Sequence, residues 1–479
     1  MKLFKSVTHS GGGGYNNNKL ELQSFKVSNK KRSVIVGTII ISVLLLSGIF
    51  LYNTFAVFTE EKHFNVINGT VSDPGDIYFA YYVDDEITRE LPKKGSDYTL
   101  DTEKSNCTNG VVPSWDDDGW KFIGDFSNYN ATDYTRTKCD LYFKAKPPTA
   151  AKYITTLAQT DTTNLAVDDY GNTRYIGKSP NNYVSVDGEL WRIIGVMKSI
   201  DDGTGNKSDR VKLIRNESIG GYSWDTSKSS VNSGYGVNEW SHADLMKLLN
   251  PGYEENKDTN SSGTEITVNN SLYYNSSSGL CYWDSNNGTN VCNFTSTGIK
   301  DKLKTLIGDA VWNTGSQGTN SWTSASGGLT KHFYTYERSD NTGKICTSSN
   351  YCNDTVARTT TWKGKVGLMY PSDYGYATSG GSTTDRTTCL NTYLYNWSSS
   401  GVSDCKNNDW LLFGGNTQWI LSPYASSLRA YNAFLVYSAR IDSNFVHHSY
   451  DVRPVVYLSS NVGVQSGDGS SSNPFILGL

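Results

Sequence analysis

The chain has 479 residues and a net charge of −4, and only 19% of its residues are charged. This balance argues against nucleic acid as a partner, because a nucleic-acid-binding domain needs clustered Lys and Arg side chains to neutralise phosphates. The chain is instead rich in Tyr, Asn, Ser, Thr and Gly. This composition favours extended strands, turns and uncharged contact surfaces.

A flexible cytoplasmic tail is predicted for residues 1–32 and a transmembrane helix for residues 33–59. The second segment holds no charged side chain, and its length suits a hydrocarbon core about 30 Å thick. Seven Lys or Arg residues and a single Glu precede it, so the N-terminus is expected in the cytoplasm. The sequence thus predicts a single-pass protein of the cell membrane with an extracellular bulk. The alternative is a cleaved secretory signal, which would have a shorter apolar stretch.

All eight cysteines follow the predicted span, which indicates disulfides formed in an oxidising compartment. Sequential pairing is the expected connectivity among the 105 that eight cysteines allow. The predicted pairs are Cys107 with Cys139, Cys281 with Cys292, Cys346 with Cys352, and Cys389 with Cys405.

Residues 60–143 are predicted to form a small β-sandwich-like module. Its strand-like runs at 76–83 and 139–144 are separated by Pro-Gly, Lys-Lys-Gly and Asp-Gly turns. Two prolines at 147 and 148 then favour a stiff, extended chain. We therefore assign residues 144–160 to a linker.

Residues 161–479 are predicted to form one large α+β surface domain. Strands are expected at 173–177, 182–186, 190–197 and 210–215, with a hairpin turn at Asp187-Gly188. One helix is expected to begin with the pair Ser241 and Asp244 and to end at Asn250. Apolar residues at helical spacing from Ile299 to Val311 predict a second, core-facing helix.

The sequence shows no pattern of an enzyme active site. Gly-x-Ser-x-Gly, His-Glu-x-x-His and the P-loop are missing, and we predict no catalytic residue, no metal and no cofactor. Glycoside hydrolysis needs only two facing carboxylates, so an envelope glycan hydrolase stays open as an alternative. The candidate carboxylates for such a hydrolase are those beside aromatic residues, namely Glu189, Glu239 and Glu337.

Several sequence segments in this domain are distinctive, namely those at 168–184, 188–195, 362–376, 419–423, 451–458 and 467–475. Together they resemble a group of uncharacterised surface-exposed proteins of Gram-positive, gut-type bacteria that carry a domain of unknown function. The terminal pattern of a Trp-x-Leu-Ser strand, a polar loop and a Val-Arg-Pro-Val-Val strand is also distantly similar to the C-type-lectin-like fold of formylglycine-generating enzymes. The resemblance implies the scaffold alone, because those enzymes depend on cysteines near the C-terminus and none follows Cys405 here.

Residues 424–450 are the predicted recognition surface, read as two strands joined by a loop. Period two puts Tyr431 and Tyr437 on one face and Phe434 and Val436 on the other. Arg440 and Asn444 are expected in the loop, and His447 opposite Val446. The five predicted ligand-binding residues are Tyr431, Tyr437, Arg440, Asn444 and His447.

These patterns predict a membrane-anchored adhesion protein of the bacterial surface that recognises a glycan or a protein. Two other interpretations stay open: the envelope hydrolase, and a structural envelope component without a ligand. For the recognition surface, the competing interpretation is a half-buried hairpin beneath the final strand.

Overall fold

A computed structural model describes residues 77–116, 119–130, 136–226, 235–259, 262–284, 288–315, 320–339, 358–412, 415–424 and 431–479. The predicted tail (1–32), the predicted span (33–59) and Cys346 and Cys352 lie outside these ranges. Within them, no helix is long and apolar enough to cross a membrane. The described chain is sheet-rich α+β, and it divides into two compact units at residues 145 and 146.

The first unit is built on one mixed sheet of five short strands. In order, the sheet runs Glu86–Thr88, Ile77–Val83, Thr137–Ala145 and Tyr98–Leu100, with Asn106–Cys107 also paired to Thr137–Ala145. A two-stranded ribbon, Trp115–Asp116 with Lys121–Phe122, supplies the rings of Trp115 and Phe122 to the sheet residues Phe143 and Phe79. The expected sandwich is therefore one sheet covered by a ribbon.

The second unit contains two larger sheets. The nine-stranded sheet runs Val366–Gly367, Val455–Tyr457, Lys207–Arg215, Glu189–Asp201, Tyr183–Val186, Phe475–Gly478 and Gly463–Ser466, and Thr173–Tyr175 joins Leu165–Val167 to Glu189–Asp201. The five-stranded sheet runs Gly221–Ser223, Ser449–Asp451, Gln418–Tyr424, Asn432–Tyr437 and Arg440–Phe445. Three two-stranded ribbons complete it: Glu255–Thr259 with Glu265–Asn269, Ser278–Asp284 with Gly288–Asn293, and Ala310–Asn313 with Thr361–Gly364.

Helices are short in this unit. The α-helices are Ala150–Leu157, Asp244–Leu249, Asp301–Leu306, Thr330–Glu337, Pro371–Tyr376 and Arg386–Leu390. The 3-10 turns are Trp240–His242, Asn320–Thr323, Leu394–Asn396 and Ser400–Lys406. The helix Ala150–Leu157 falls inside the expected linker, where Thr149 caps it and its residue Ile154 is fully buried. Before the helix, residues 144 and 145 end the strand Thr137–Ala145, and Thr149 forms an isolated antiparallel bridge with Gly463. The expected linker is therefore largely folded structure.

The predicted hairpin at Asp187-Gly188 is confirmed. Both residues have positive φ, 48° and 79°, and the strands on either side pair Val186 with Glu189. Positive φ at both central residues is what a two-residue turn between twisted strands requires.

Two helix predictions need correction. The helix Asp244–Leu249 exists, but Ser241 does not cap it; the Asp225 carboxylate accepts from the Asp244 N–H at 3.2 Å. The second helix ends at Leu306, and Ala310–Asn313 is a strand paired with Thr361–Gly364. The buried apolar residues of the helix and of the strand follow one continuous helical spacing. Periodicity alone therefore could not show that the helix ends before Ala310.

Three of the four predicted disulfides are confirmed in the described residues. Cys107 bonds Cys139 between neighbouring strands, Cys281 bonds Cys292 within one ribbon, and Cys389 bonds Cys405 between a helix and a 3-10 turn. Each closes a loop of 11 to 32 residues, which limits the unfolded chain.

Candidate functional site

Of the predicted recognition surface at 424–450, residues 425–430 lie outside the described residues, and the strands Asn432–Tyr437 and Arg440–Phe445 form a tight β-hairpin at the edge of the five-stranded sheet. Its strands Asn432–Tyr437 and Arg440–Phe445 pair in antiparallel register, with Tyr437 directly opposite Arg440. Ser438 and Ala439 form the two-residue turn, and both have positive φ. Arg440 and Asn444 therefore lie on a strand, and the expectation that they occupy a loop is wrong.

Cross-strand neighbours in this register share a face of the sheet. One face carries Tyr437, Arg440, Asp442 and Asn444, which we call the hairpin face. Leu435 and Ala433 share this face opposite Asp442 and Asn444 but are buried, so its exposed part lies at the Tyr437 end. Phe434, Val436 and Ile441 point the other way and are fully buried. The period-two separation of Tyr437 from Phe434 and Val436 agrees with this register.

Tyr431 and His447 do not belong to the hairpin face. Both are buried, and each contacts the rings of Tyr235 and Phe445 at centroid distances of 5.1 to 5.6 Å. Their contacts place them in one aromatic cluster with Tyr235 and Phe445. Each of these two predicted ligand-binding residues is 7% exposed, so the fold does not bring them together with Tyr437, Arg440 and Asn444.

Arg440 forms the centre of the hairpin face. Its guanidinium carbon lies 4.5 Å from the ring centre of Tyr395 and 5.5 Å from that of Tyr437. The guanidinium also donates to the Asp442 carboxylate at 2.8 Å. The Tyr437 residue is 46% exposed, whereas the Arg440 and Asp442 side chains are 26% and 25% exposed. The result is a partly shielded cation between two aromatic rings, next to a carboxylate.

Asn444 extends the hairpin face toward the middle of the sheet. Its side-chain amide donates to the Tyr450 hydroxyl at 2.6 Å, and the Tyr450 ring packs edge-on against Trp419 at 4.9 Å. Partial burial raises the pKa of Tyr450. Sequence reasoning missed both Tyr450 and Tyr395 as members of the site. Tyr395 belongs to the separate 3-10 turn Leu394–Asn396, and no local signal links that turn to the hairpin.

The hairpin face suits reversible contact with a polar ligand. An exposed tyrosine ring offers a flat apolar surface, and the guanidinium, carboxylate and amide offer oriented donors and acceptors. Arg440 and Asp442 also place charge on a sheet edge, which discourages pairing with another strand. Among the described residues, no group of three or more His, Cys, Asp or Glu side chains could hold a metal ion.

A second concentration of charge lies in the interior, and we call it the buried ion cluster: Asp168, Arg174, Lys212 and Asp373. Arg174 donates to Asp168 at 2.9 Å and to Asp373 at 2.5 Å, and Lys212 donates to the other Asp373 oxygen at 2.5 Å. All four side chains are at most 2% exposed. The ion pair between Arg174 and Asp373 therefore joins the distinctive sequence segments 168–184 and 362–376 in the core.

Burial and neighbouring charge act in opposite directions within the buried ion cluster. Burial lowers the pKa of Lys212 to about 8, although Asp373 opposes this shift. Burial would raise the pKa of Asp373, yet the Lys212 and Arg174 cations hold it below its usual value. The Lys212 ammonium also lies 3.9 Å from the ring centre of Tyr370. Paired charges and an aromatic wall thus compensate for the lost hydration.

The carboxylates considered for a hydrolase are engaged within the fold. Glu189 pairs with Arg215 at 2.7 Å. Glu239 accepts from the Ser241 and Thr359 hydroxyls. Glu337 accepts from the Ser372 hydroxyl at 2.7 Å, and burial raises its pKa.

Asp225 and Asp244 are two carboxylates that lie close together in the fold. Asp225 and Asp244 are both buried, and burial together with the Asp244 charge raises the pKa of Asp225. Asp225 accepts from the Val237 N–H at 2.8 Å, and Asp244 accepts from the Thr226 hydroxyl. These bonds anchor the loop ends and the start of a helix, which is a structural use of both groups.

Neither a protein-family model, nor a curated protein, nor a solved structure matches this chain.

Proposed function

We propose that this chain is a membrane-anchored protein of the bacterial cell surface whose second unit binds an extracellular glycan through the hairpin face. Residues 33–59 would hold it in the membrane with the N-terminus inside. Its relation to the surface proteins of unknown function and to the C-type-lectin-like fold belongs to this proposal as well.

The observation that carries the proposal is the arrangement of Arg440 between Tyr395 and Tyr437, with Tyr437 exposed. Sugar rings combine an apolar face with hydroxyl groups, so an aromatic surface bordered by charged and amide side chains complements them. Disulfides in the described units agree with an extracellular position. A protein ligand would use the same aromatic contact and is an outcome of the test.

The test is binding of the purified full chain to a glycan array, compared with a Tyr437→Ala variant. We expect the variant to lose at least about tenfold in affinity, because exposed aromatic anchors dominate such contacts. Tyr78→Ala is the matched control, since Tyr78 is 45% exposed and also lies under an arginine, Arg136, but in the first unit. Equal binding by the wild type and the Tyr437→Ala variant would contradict the proposal.

Hydrolysis is tested on the same preparations with dye-labelled peptidoglycan. Binding alone predicts no dye release by the wild type. Release that disappears in an Asp225→Asn variant would replace binding by an envelope hydrolase, with the Asp225 and Asp244 pair as its acids. A wild type that binds no glycan but binds a purified surface protein in a Tyr437-dependent way would exchange the glycan for a protein ligand.

A further inference from the structure

A polar cleft of about 370 Å³ lies in the second unit, and none of its lining residues belongs to the hairpin face. We call it the polar cleft. Its walls come from the segment after Asp168, from the helix Thr330–Glu337, and from the ends of the helices Pro371–Tyr376 and Arg386–Leu390. The side chains that matter for its chemistry are Asp169, Lys331, Tyr376, Arg386, Thr387 and Asn391.

Arg386 is the first reason to expect a ligand. Its guanidinium donates to two backbone carbonyls, of Thr378 at 3.0 Å and of Tyr376 at 3.2 Å, which fixes its position. In the part of the chain that the structure describes, no carboxylate forms an ion pair with it. It is nevertheless partly buried, and burial lowers its pKa. The Asp168 and Asp169 charges oppose this shift, but neither carboxylate forms an ion pair with Arg386 in the described residues. A fixed, half-buried guanidinium with N–H groups left over after its two carbonyl bonds favours an anion supplied from outside.

Lys331 adds a second cation to the wall. It is exposed, and the described residues offer it no ion-pair partner. The neighbouring chain is held firmly, because the Tyr170 hydroxyl donates to the Lys331 carbonyl at 3.3 Å and the Tyr170 ring stacks on Tyr334 at 3.7 Å. This stack ties the segment that carries Asp169 to the helix that carries Lys331. Two segments that line the polar cleft are therefore held together before any ligand binds.

The remaining polar groups suit hydroxyls better than a second negative charge. Asp169 accepts from the Tyr376 hydroxyl at 3.3 Å and keeps acceptor capacity toward the cleft. A dianion such as phosphate would be repelled by this carboxylate. Thr387 and Asn391 contribute a hydroxyl and an amide, and Leu390 contributes an apolar patch. The set matches a ligand with one negative charge, several hydroxyls and a partly apolar ring.

We propose that the polar cleft binds an acidic sugar, a pyranose that carries one carboxylate. The sugar carboxylate lies against Arg386 and Lys331, and its hydroxyls bond Asp169, Thr387 and Asn391. This site is independent of the hairpin face, so either proposal can fail without the other. The cleft volume admits a single residue of a glycan, either as a free monosaccharide or as the end of a chain.

The test is calorimetric titration of the full chain with glucuronate, with N-acetylneuraminate, and with glucose as the neutral control. We expect at least one of the two acidic sugars to bind about tenfold or more tightly than glucose, because hydrogen bonds to charged groups are the strong ones. Arg386→Gln should abolish this preference, and Lys331→Gln should weaken it. Arg386 and Lys331 are not part of the hairpin face, so loss of the preference in their variants separates this site from the hairpin face.

Two controls keep the result decisive. Lys302→Gln removes an exposed lysine outside the polar cleft and should leave binding unchanged. Lys331→Glu reverses charge at an exposed position, so it tests the site even if Arg386→Gln disturbs the fold. Equal affinity for both acidic sugars and glucose would overturn the proposal. Glycine is titrated as a fourth ligand, and tighter binding of glycine than of either acidic sugar would overturn the proposal as well, by assigning the cleft to amino acids.

Discussion

The buried ion cluster and the hairpin face use the same chemistry in opposite surroundings. In both, a cation lies near aromatic rings and pairs with a carboxylate: Lys212 with Tyr370 and Asp373, and Arg440 with Tyr395 and Asp442. The Lys212 side chain is 0% exposed, whereas that of Arg440 is 26% exposed. When such a group is buried, removing one partner strongly lowers the free energy of unfolding. When it is partly exposed, it remains available to contact a ligand.

The largest expected effect is that of Asp373→Asn. The substitution keeps the shape of the side chain but leaves Arg174 and Lys212 without the carboxylate between them. We expect a loss of about 3 to 5 kcal/mol in the free energy of unfolding, measured by urea denaturation.

Asp209→Asn is the matched control, because Lys198 and Asp209 pair at 2.6 Å with side chains 40% and 42% exposed. It should cost less than about 1 kcal/mol. If both variants lost the same stability, burial would not distinguish the two kinds of ion pair, and the comparison would fail.

A smaller effect is expected from pH. The pKa of Lys212 falls from 10.5 to about 8 in the folded chain. Between these values the unfolded chain holds a proton that the folded chain has lost. The contribution of this group to stability therefore rises with pH, by at most about 1.4 kcal/mol per pH unit.

The measurement is the free energy of unfolding at several values between pH 8 and 10, for the wild type and for Lys212→Met. Other groups titrate in the same range, so the difference between the two proteins is the informative quantity. Lys198→Met, which removes an exposed lysine, should keep the wild-type slope. An unchanged slope in Lys212→Met would show that the lysine stays charged in the core.

The smallest effect on stability is expected from Arg440→Ala. Removing this guanidinium breaks a partly exposed pair with Asp442 and the contacts with Tyr395 and Tyr437, which together amount to about 1 kcal/mol or less. Thermal unfolding followed by circular dichroism measures it. A loss of more than about 3 kcal/mol would place Arg440 with the residues that the fold requires, and would weaken the hairpin face as a binding surface.

Local patterns in the sequence were sufficient for the strands and for part of the disulfide set. The runs at 182–186, 190–197 and 210–215 alternate or continue in apolar residues between clear turn signals, and strands occupy all three. The stretch from Ile299 to Val311 shows the limit of this approach. Its apolar residues fit one helical stripe, but pairing of Ala310–Asn313 with Thr361–Gly364 makes its second half a strand.

In the candidate site, too, local sequence patterns predicted some features, and others depended on tertiary contacts. Period two correctly separated Tyr437 from Phe434 and Val436, because neighbouring side chains on a strand alternate between faces. It could not show that Tyr431 and His447 would be covered by Tyr235, or that Tyr395 would lie beside Arg440. Those contacts join residues far apart in the chain, and no local pattern records them.

By itself, the sequence determined the sheet-rich character of the described units, three cysteine pairs and the alternation of the hairpin. Each depends on short-range geometry: the pleat of a strand, the turn at Asp187-Gly188, and the short loops between paired cysteines. Only the tertiary structure decided which charged residues are buried and which face solvent. Asp168, Arg174, Lys212 and Asp373 look like ordinary polar residues until the sheets pack. Their removal from water depends on distant segments meeting, which is why burial could not be read from the residues alone.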